Sequence, residues 1–363
     1  MAEANSSLFR LLRDYSQAHG ASGNETAVRT IFLRETGALG GTFSSDKLGG
    51  VQCALPGEKR GPRVMLTAHM DEVGFMVQHI TAEGFLQFVP LGGWSENTLL
   101  SQRVRVLTRS GRELPGVIAS VPKHFLPAGA TAPGIDKMSI DIGATSKAQA
   151  EEEFGVRLGD TIVPESPFVE LANPRMVMAK AFDNRAGMAV LTRALQELAE
   201  EKLPNQILGV ATVQEEVGVR GAETAVTLAQ PDVALVLEGP PADDSPGFNR
   251  AEAQGKLGGG VQVRVYDPTA IMNRALVELV RTVAEEENIP HQVTVRRSGG
   301  TDARAIQRFA AGVPVVVLGV PARYIHSHNA ILCLDDLEAC LRLTLALARR
   351  FDEKTVAGLT NFL

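Results

Sequence analysis

The run Ile207-Leu208-Gly209-Val210-Ala211-Thr212-Val213 leads directly into Gln214-Glu215-Glu216-Val217-Gly218. A short run this apolar, bounded by polar residues, reads as a strand buried on both faces. Two adjacent carboxylates at the end of such a strand are costly to place. Each needs a cation, a proton or several donors nearby. Neighbouring side chains of an extended segment point to opposite sides, so one glutamate can hold a metal while the other faces a reacting water. A lone Glu-Glu pair is more often a solvated turn. Here other candidate ligands also follow strand-like runs: His69 and Asp71, Asp183, Glu238, and His326 with His328.

The rest of the chain supports one fold class. Ser6 or Ser7 can cap a first helix with Leu8, Leu11, Leu12 and Tyr15 on its apolar face. A second helix is expected from Asn24 or Thr26 to near Gly37, then a strand pair around Gly49-Gly50. Val64–Ala68 reads as a buried strand that delivers His69-Met70-Asp71-Glu72. Beyond about Pro164, strands and helices alternate again, with a helix expected after Arg185 through Met188, Leu191, Leu195 and Leu198, and further helices near 221–229, 269–287 and 334–351. This predicts a mixed-sheet α/β/α sandwich, whose ligand sites lie at the strand ends.

Residues 74–164 have a different character. Short strand-like runs (Gly74–Ile80, Phe85–Val89, Arg103–Thr108, Gly116–Ser120 and Thr161–Val163) alternate with turn signals, and helical periodicity is confined to Ser146–Phe154. We therefore expect a small β-rich domain, PDZ-like or a β-barrel, inserted between residues 1–73 and 165–363. Its Val121–Ile135 segment, rich in Pro, Gly and Ala, reads as a mobile loop, with His124 an exposed loop residue.

Several function classes are disfavoured. A net charge of −6 without a long basic run argues against general nucleic-acid binding. The three cysteines, Cys53, Cys333 and Cys340, form neither a disulfide framework nor a zinc-finger spacing. No signal-peptide pattern and no membrane-length apolar run is present, which gives a cytoplasmic expectation. Neither a Walker loop nor a Gly-x-Gly-x-x-Gly turn supports nucleotide binding.

Histidines and carboxylates without cysteine suit zinc, cobalt or manganese better than calcium. Two such ions, roughly 3.5–4 Å apart, need a bridging carboxylate. Asp71, two residues beyond His69 on an extended segment, lies on the same side and can orient its imidazole. A free carboxylate beside a metal-bound one can take a proton from water and pass it to a leaving amine. The Glu215–Glu216 pair fits that division.

Five stretches occur together: Ala68-His69-Met70-Asp71-Glu72-Val73-Gly74, Phe182-Asp183-Asn184-Arg185, Gln214-Glu215-Glu216-Val217-Gly218, Gly299-Gly300-Thr301-Asp302 and Arg323-Tyr324-Ile325-His326-Ser327. In this order they resemble the tetrahedral aminopeptidases of metallopeptidase family forty-two, over nearly the whole chain. The resemblance implies two divalent cations per subunit, zinc or cobalt first and manganese next. It implies Asp183 as the bridge, His69 and Glu238 completing one site, and Glu216 and His326 the other. Glu215 would be the general base, with Asp71 supporting His69. Many relatives carry Asp at the position of Glu238. His326 is preferred to His328 because it holds the motif's place. The resemblance further implies peptide substrates and dimers, built through the inserted domain, that assemble into a tetrahedral dodecamer.

Two other readings stand beside this one. A glycoside hydrolase also uses paired carboxylates, but it has no need of His69, Asp183 and His326 together, and Trp94 alone offers little platform for sugars. A non-catalytic peptide-binding scaffold would have no use for a free Glu215. For the preferred N-terminal residue, the sequence leans to neutral apolar side chains such as leucine.

Overall fold

The computed structural model describes residues 7–55, 61–127, 129 and 131–362. Ser6, one of the two expected caps, lies outside the described residues, as do Ala128 and Ala130 of the 121–135 loop. Helices α1 (Ser7–Gln17) and α2 (Thr26–Thr36) precede strands β1 (Thr42–Ser45), β2 (Val51–Ala54) and β3 (Arg63–His69). The apolar spacing of α1 buries Leu8, Leu11, Leu12 and Tyr15 on one face, as its 3.6-residue periodicity dictates.

After β3 the chain forms β4 (Gly74–Ile80), β5 (Leu86–Leu91), β6 (Arg103–Leu107), β7 (Glu113–Ile118), β8 (Ser139–Asp141) and β9 (Thr161–Pro164). These close a barrel in the order β4-β5-β8-β7-β6-β9. Closure leaves no sheet edge to protect, and alternate residues such as Phe75, Val77, Phe88, Val104 and Ile162 fill a core separate from the main one. The sequence missed β8, a three-residue strand too short to show alternation. The expected helix at 146–154 is a single wide turn, Gln149–Glu153.

The chain then returns through β10 (Val169–Glu170), β11 (Met176–Ala179), α3 (Phe182–Leu198), β12 (Gln206–Thr212), α4 (Arg220–Ala229) and β13 (Val233–Glu238). It continues with β14 (Val261–Asp267), β15 (Ala270–Ile271), α5 (Arg274–Glu286), β16 (His291–Val295), α6 (Ala303–Gln307) and β17 (Val315–Gly319). Strands β18 (Ala322–Arg323) and β19 (Ala330–Cys333) and helices α7 (Leu334–Arg350) and α8 (Glu353–Gly358) complete it.

The main sheet runs β1-β2-β12-β3-β13-β17-β14-β15, with β16 added to β14. Its centre, β12-β3-β13-β17, is parallel, and β2 and β14 flank it antiparallel. Helix α3 packs along β3 and β13 and meets α1, α2 and α7, while α4 and α6 pack together, α4 on β12 and α6 on β17. This is the expected mixed-sheet α/β/α sandwich with a separate β-barrel domain. Register fixes the site: Thr212 pairs with His69, and Glu238 with Gly319, so the parallel strands end at one edge of the sheet. Among the described residues no helix is long and apolar enough to cross a membrane.

Candidate metal centre

Strand β3 ends at His69, whose side chain is 1% exposed. Its Nε2 lies 3.2 Å from Asp183 Oδ1, 3.7 Å from Glu238 Oε2 and 4.0 Å from Glu215 Oε2. Its Nδ1 is 3.1 Å from the Asp71 carbonyl and 3.4 Å from Asp71 Oδ1. Asp183 turns its other oxygen, Oδ2, to His326 Nε2 at 3.5 Å, and that nitrogen is 3.4 Å from Glu216 Oε2. The residues singled out from sequence are thus brought together: His69, Asp71, Asp183, Glu215, Glu216, Glu238 and His326. His328 is buried against Trp94 instead, with ring centroids 5.7 Å apart.

Asp71 has a wider role than the sequence suggested. Its two carboxylate oxygens accept the backbone N–H groups of Glu215 and Glu216 at 3.0 and 3.1 Å, and Ser22 Oγ–H at 2.6 Å. Asp71 therefore fixes the imidazole of His69, chiefly through its carbonyl, and through its carboxylate the turn that carries the glutamate pair. Below it, Glu72 accepts Lys180 Nζ at 2.5 and 2.6 Å and Arg185 Nη2 at 3.1 Å, all three side chains being buried. Nothing in the local sequence pattern signals this ion cluster, because its members come from separate segments. The backbone is also unusual here. Ala181, Gln214, Val219, Tyr324 and His326 are five of the nine non-glycine residues with positive φ among those described. Such residues cluster where surrounding structure holds a functional arrangement in place.

The charges are unbalanced in favour of carboxylates. Burial and then the neighbouring Asp183 push Glu216 up to about 8. Burial, and then Asp183 and Asp302, push Glu238 up to about 8 against the pull of His69. Glu215 is driven well above the carboxylate range by burial, then by Glu216 and Glu238. Burial would lower both histidines. Glu238, Asp183, Asp71 and Glu215 nevertheless hold His69 well above its ordinary value, and Asp183 and Glu216 raise His326 to about 9. A site of this kind calls for added positive charge.

The donor set fits divalent cations. His69, Asp183 and Glu238 bring ligand atoms within 4.8 Å of one another, and so do Asp183, Glu216 and His326. Asp183 belongs to both groups. Glu216 Oε1 and Glu238 Oε1 are buried without a hydrogen-bond partner, as expected of oxygens aimed at a cation. Imidazole nitrogen and carboxylate oxygen without thiolate suit zinc, cobalt or manganese.

A cleft of about 390 Å³ opens over these residues and is lined further by Gly93, Gly299, Arg264, Arg296 and Arg304. Arg264 is paired with Asp267 at 3.2 Å, and Arg296 with Asp243 at 2.7 Å. Arg304 is exposed, and its guanidinium has no ion-pair partner among the described residues. These arginines were not singled out from the sequence. They lie in β14, just after β16, and in α6, and only folding places them at one cleft.

Residues 49–343 match the model of the M42 glutamyl aminopeptidase family. The chain belongs to this family. It is 36% identical to the glutamyl aminopeptidase of Lactococcus lactis subsp. cremoris, over 98% of this chain and 99% of the relative. The solved TET aminopeptidase of a marine sediment thaumarchaeote is 44% identical, with a TM-score of 0.93 over 97% of this chain and 99% of that one. The Pyrococcus horikoshii TET1 peptidase, described as assembling into a tetrahedron or a large octahedral shell, is 34% identical, with a TM-score of 0.85 over 94% of this chain and 99% of that one. This M42 protein is accordingly a peptide hydrolase, a metal-dependent aminopeptidase. The glycoside hydrolase and the non-catalytic scaffold give way to it.

Proposed function

We propose that the protein removes acidic residues from the N-termini of peptides, using two divalent cations. His69, Asp183 and Glu238 would hold one, and Asp183, Glu216 and His326 the other. The observation that carries this is Asp183, whose two oxygens each face a different histidine and glutamate. Such cations supply a water of lowered pKa and polarise the scissile carbonyl. Glu215 has a carboxylate oxygen 4.0 Å from His69 Nε2; it also forms a third possible group with His69 and Glu216, but the two sets that share Asp183 do without it. It accepts the proton from the attacking water and returns it to the leaving amine. Asp71 holds Glu215 and His69 in register through the hydrogen bonds described above.

The preference for an acidic residue rests on Arg304. Arg264 and Arg296 already have carboxylate partners, so Arg304 is the cation in the cleft that is left to meet a substrate carboxylate. This replaces the leucine-like preference expected from sequence. We further propose that residues 74–164 act as an inserted dimerisation domain and that the protein forms a homo-oligomer, with a tetrahedral dodecamer of six dimers as the expected form. The barrel's separate core supports that division.

The test separates the two glutamates. Glu215→Gln should retain both cations while peptidase activity falls by about two to four orders of magnitude. Glu216→Gln should lose a cation as well. If Glu215→Gln strips metal and Glu216→Gln does not, the assignment is reversed.

A further inference from the structure

Trp94 is the only tryptophan in the chain. It follows Leu91-Gly92-Gly93, the segment that leaves β5 of the barrel and passes beside the metal centre. The indole stacks on Phe75, with centroids 4.8 Å apart and planes at 23°. Phe75 is itself fully buried in the barrel core and meets Phe88 edge-on at 4.8 Å. The indole Nε1–H donates to the Gly74 carbonyl at 3.1 Å. Trp94 is thus fastened to the barrel by both packing and a hydrogen bond.

The two glycines before it make close passage possible. Gly92 has φ +87, and a Cβ there would lie 2.6 Å from Val73 Cγ1 and 3.3 Å from Glu216 Cβ. At Gly93 a Cβ would lie 3.4 Å from His326 Nδ1. The Gly93 carbonyl accepts a hydrogen bond from that nitrogen at 2.9 Å. A proton held on Nδ1 leaves the Nε2 lone pair facing Asp183 and Glu216.

His326 needs such support more than the other candidate ligands. Its side chain is 35% exposed, against 1% for His69, and its backbone sits at φ 55. No strand holds it: it lies in the loop between β18 and β19.

We propose that Trp94 is a positioning residue: through the Gly93 carbonyl it fixes the tautomer and place of the His326 ring, so that cation binding at the Asp183–Glu216–His326 side depends on a loop of the inserted barrel. This rests on the reading of His326 as a ligand.

The experiment uses the full-length assembled protein, stripped of metal and titrated with zinc against a chromophoric chelator. Trp94→Ala should weaken one of two zinc affinities about 10- to 100-fold, the range for lost partners of metal-binding histidines, and leave the other unchanged. Trp94→Phe keeps the stacking and loses only the N–H donor, so it should recover much of that loss. In the parent, the sole tryptophan should change its emission as zinc fills the affected site. Two unchanged zinc affinities in Trp94→Ala would overturn the proposal alone. Absence of any zinc binding by the parent would overturn the metal reading together with it. If Trp94→Ala does not assemble, the parent's emission decides, and a flat emission through both loading steps overturns the proposal.

Discussion

Replacing Arg304 with alanine isolates the proposed choice of substrate. The guanidinium is exposed in the free cleft, so water and salt weaken its field before a peptide arrives. At an effective dielectric constant of 20, a carboxylate about 4 Å away would gain roughly 4 kcal/mol, which is an upper bound. Exposed ion pairs contribute about 0–1 kcal/mol, and hydrogen bonds to charged groups about 1.5–3 kcal/mol. A substrate side chain that displaces water from a cleft falls between these, at about 1–2 kcal/mol. The ratio of kcat/KM for glutamyl over leucyl chromogenic substrates should therefore fall about 5- to 30-fold in Arg304→Ala. The leucyl value itself should hardly move, and metal content should stay at the parent level, because Arg304 belongs to neither ligand group. Arg304→Glu should push the ratio further down. An unchanged ratio in fully metallated Arg304→Ala refutes the acidic preference, and an equal loss on both substrates would assign Arg304 to general binding instead.

Chelation should lower Tm, because the crowded carboxylates then lose their counter-charge; light scattering before and after reloading shows whether the oligomer loosens with it, and an unchanged mass would separate metal from assembly. Replacing Pro122 to Pro133 with a short Gly-Ser linker should raise KM or lower kcat at unchanged metal content if this exposed loop borders a substrate pocket; kinetics equal to the parent in an assembled variant would leave it an ordinary surface loop. Burial, and then Lys180 and Arg105, lower His19 to about 3, so its neutral form stabilises the fold. That stability is complete above the unfolded value near 6.5 and is lost as pH falls toward 3, by about 2–3 kcal/mol between pH 7 and 4. His19→Gln should flatten this part of the Tm–pH curve, and an identical slope in variant and parent would exclude His19 as its source.

The parts of the fold that could be read from sequence are those where one segment carries its own signal. Strands β3, β12, β13 and β17 are buried on both faces, so each is a nearly continuous apolar run, and β3, β12 and β13 lead into the candidate ligands His69, Glu215–Glu216 and Glu238. The helix expected from Thr269 begins at Arg274. Asp267 instead accepts the N–H groups of Thr269 and Ala270, forming a turn that returns β15 onto β14, and the Asn273 side chain caps the helix by accepting Leu276 N–H. The small sheet β10-β11-β19-β18 was not foreseen as a sheet. Two of its strands have only two residues, and their partners are distant in sequence. The candidate metal ligands were recognisable because their motifs are local. Their supports, the Gly93 carbonyl and the Glu72–Lys180–Arg185 cluster, depend on contacts between distant segments.

This division between local motifs and distant supports explains how such a site can persist. A cluster of buried acids and several left-handed backbone residues is unfavourable on its own. The parallel strands hold His69 and Glu238 at a common sheet edge, since their register with β12 and β17 leaves no freedom to slide. Asp71 fastens the glutamate turn to the same edge through two backbone N–H groups. Asp183 and Glu216 then share the remaining opening with His326, whose support comes from the barrel rather than from the sheet. The β-rich insertion enters the chain five residues after His69, between that candidate ligand and all the others. That position lets one loop of the barrel reach His326, so on the proposed reading the insertion helps to complete the metal centre as well as to join subunits.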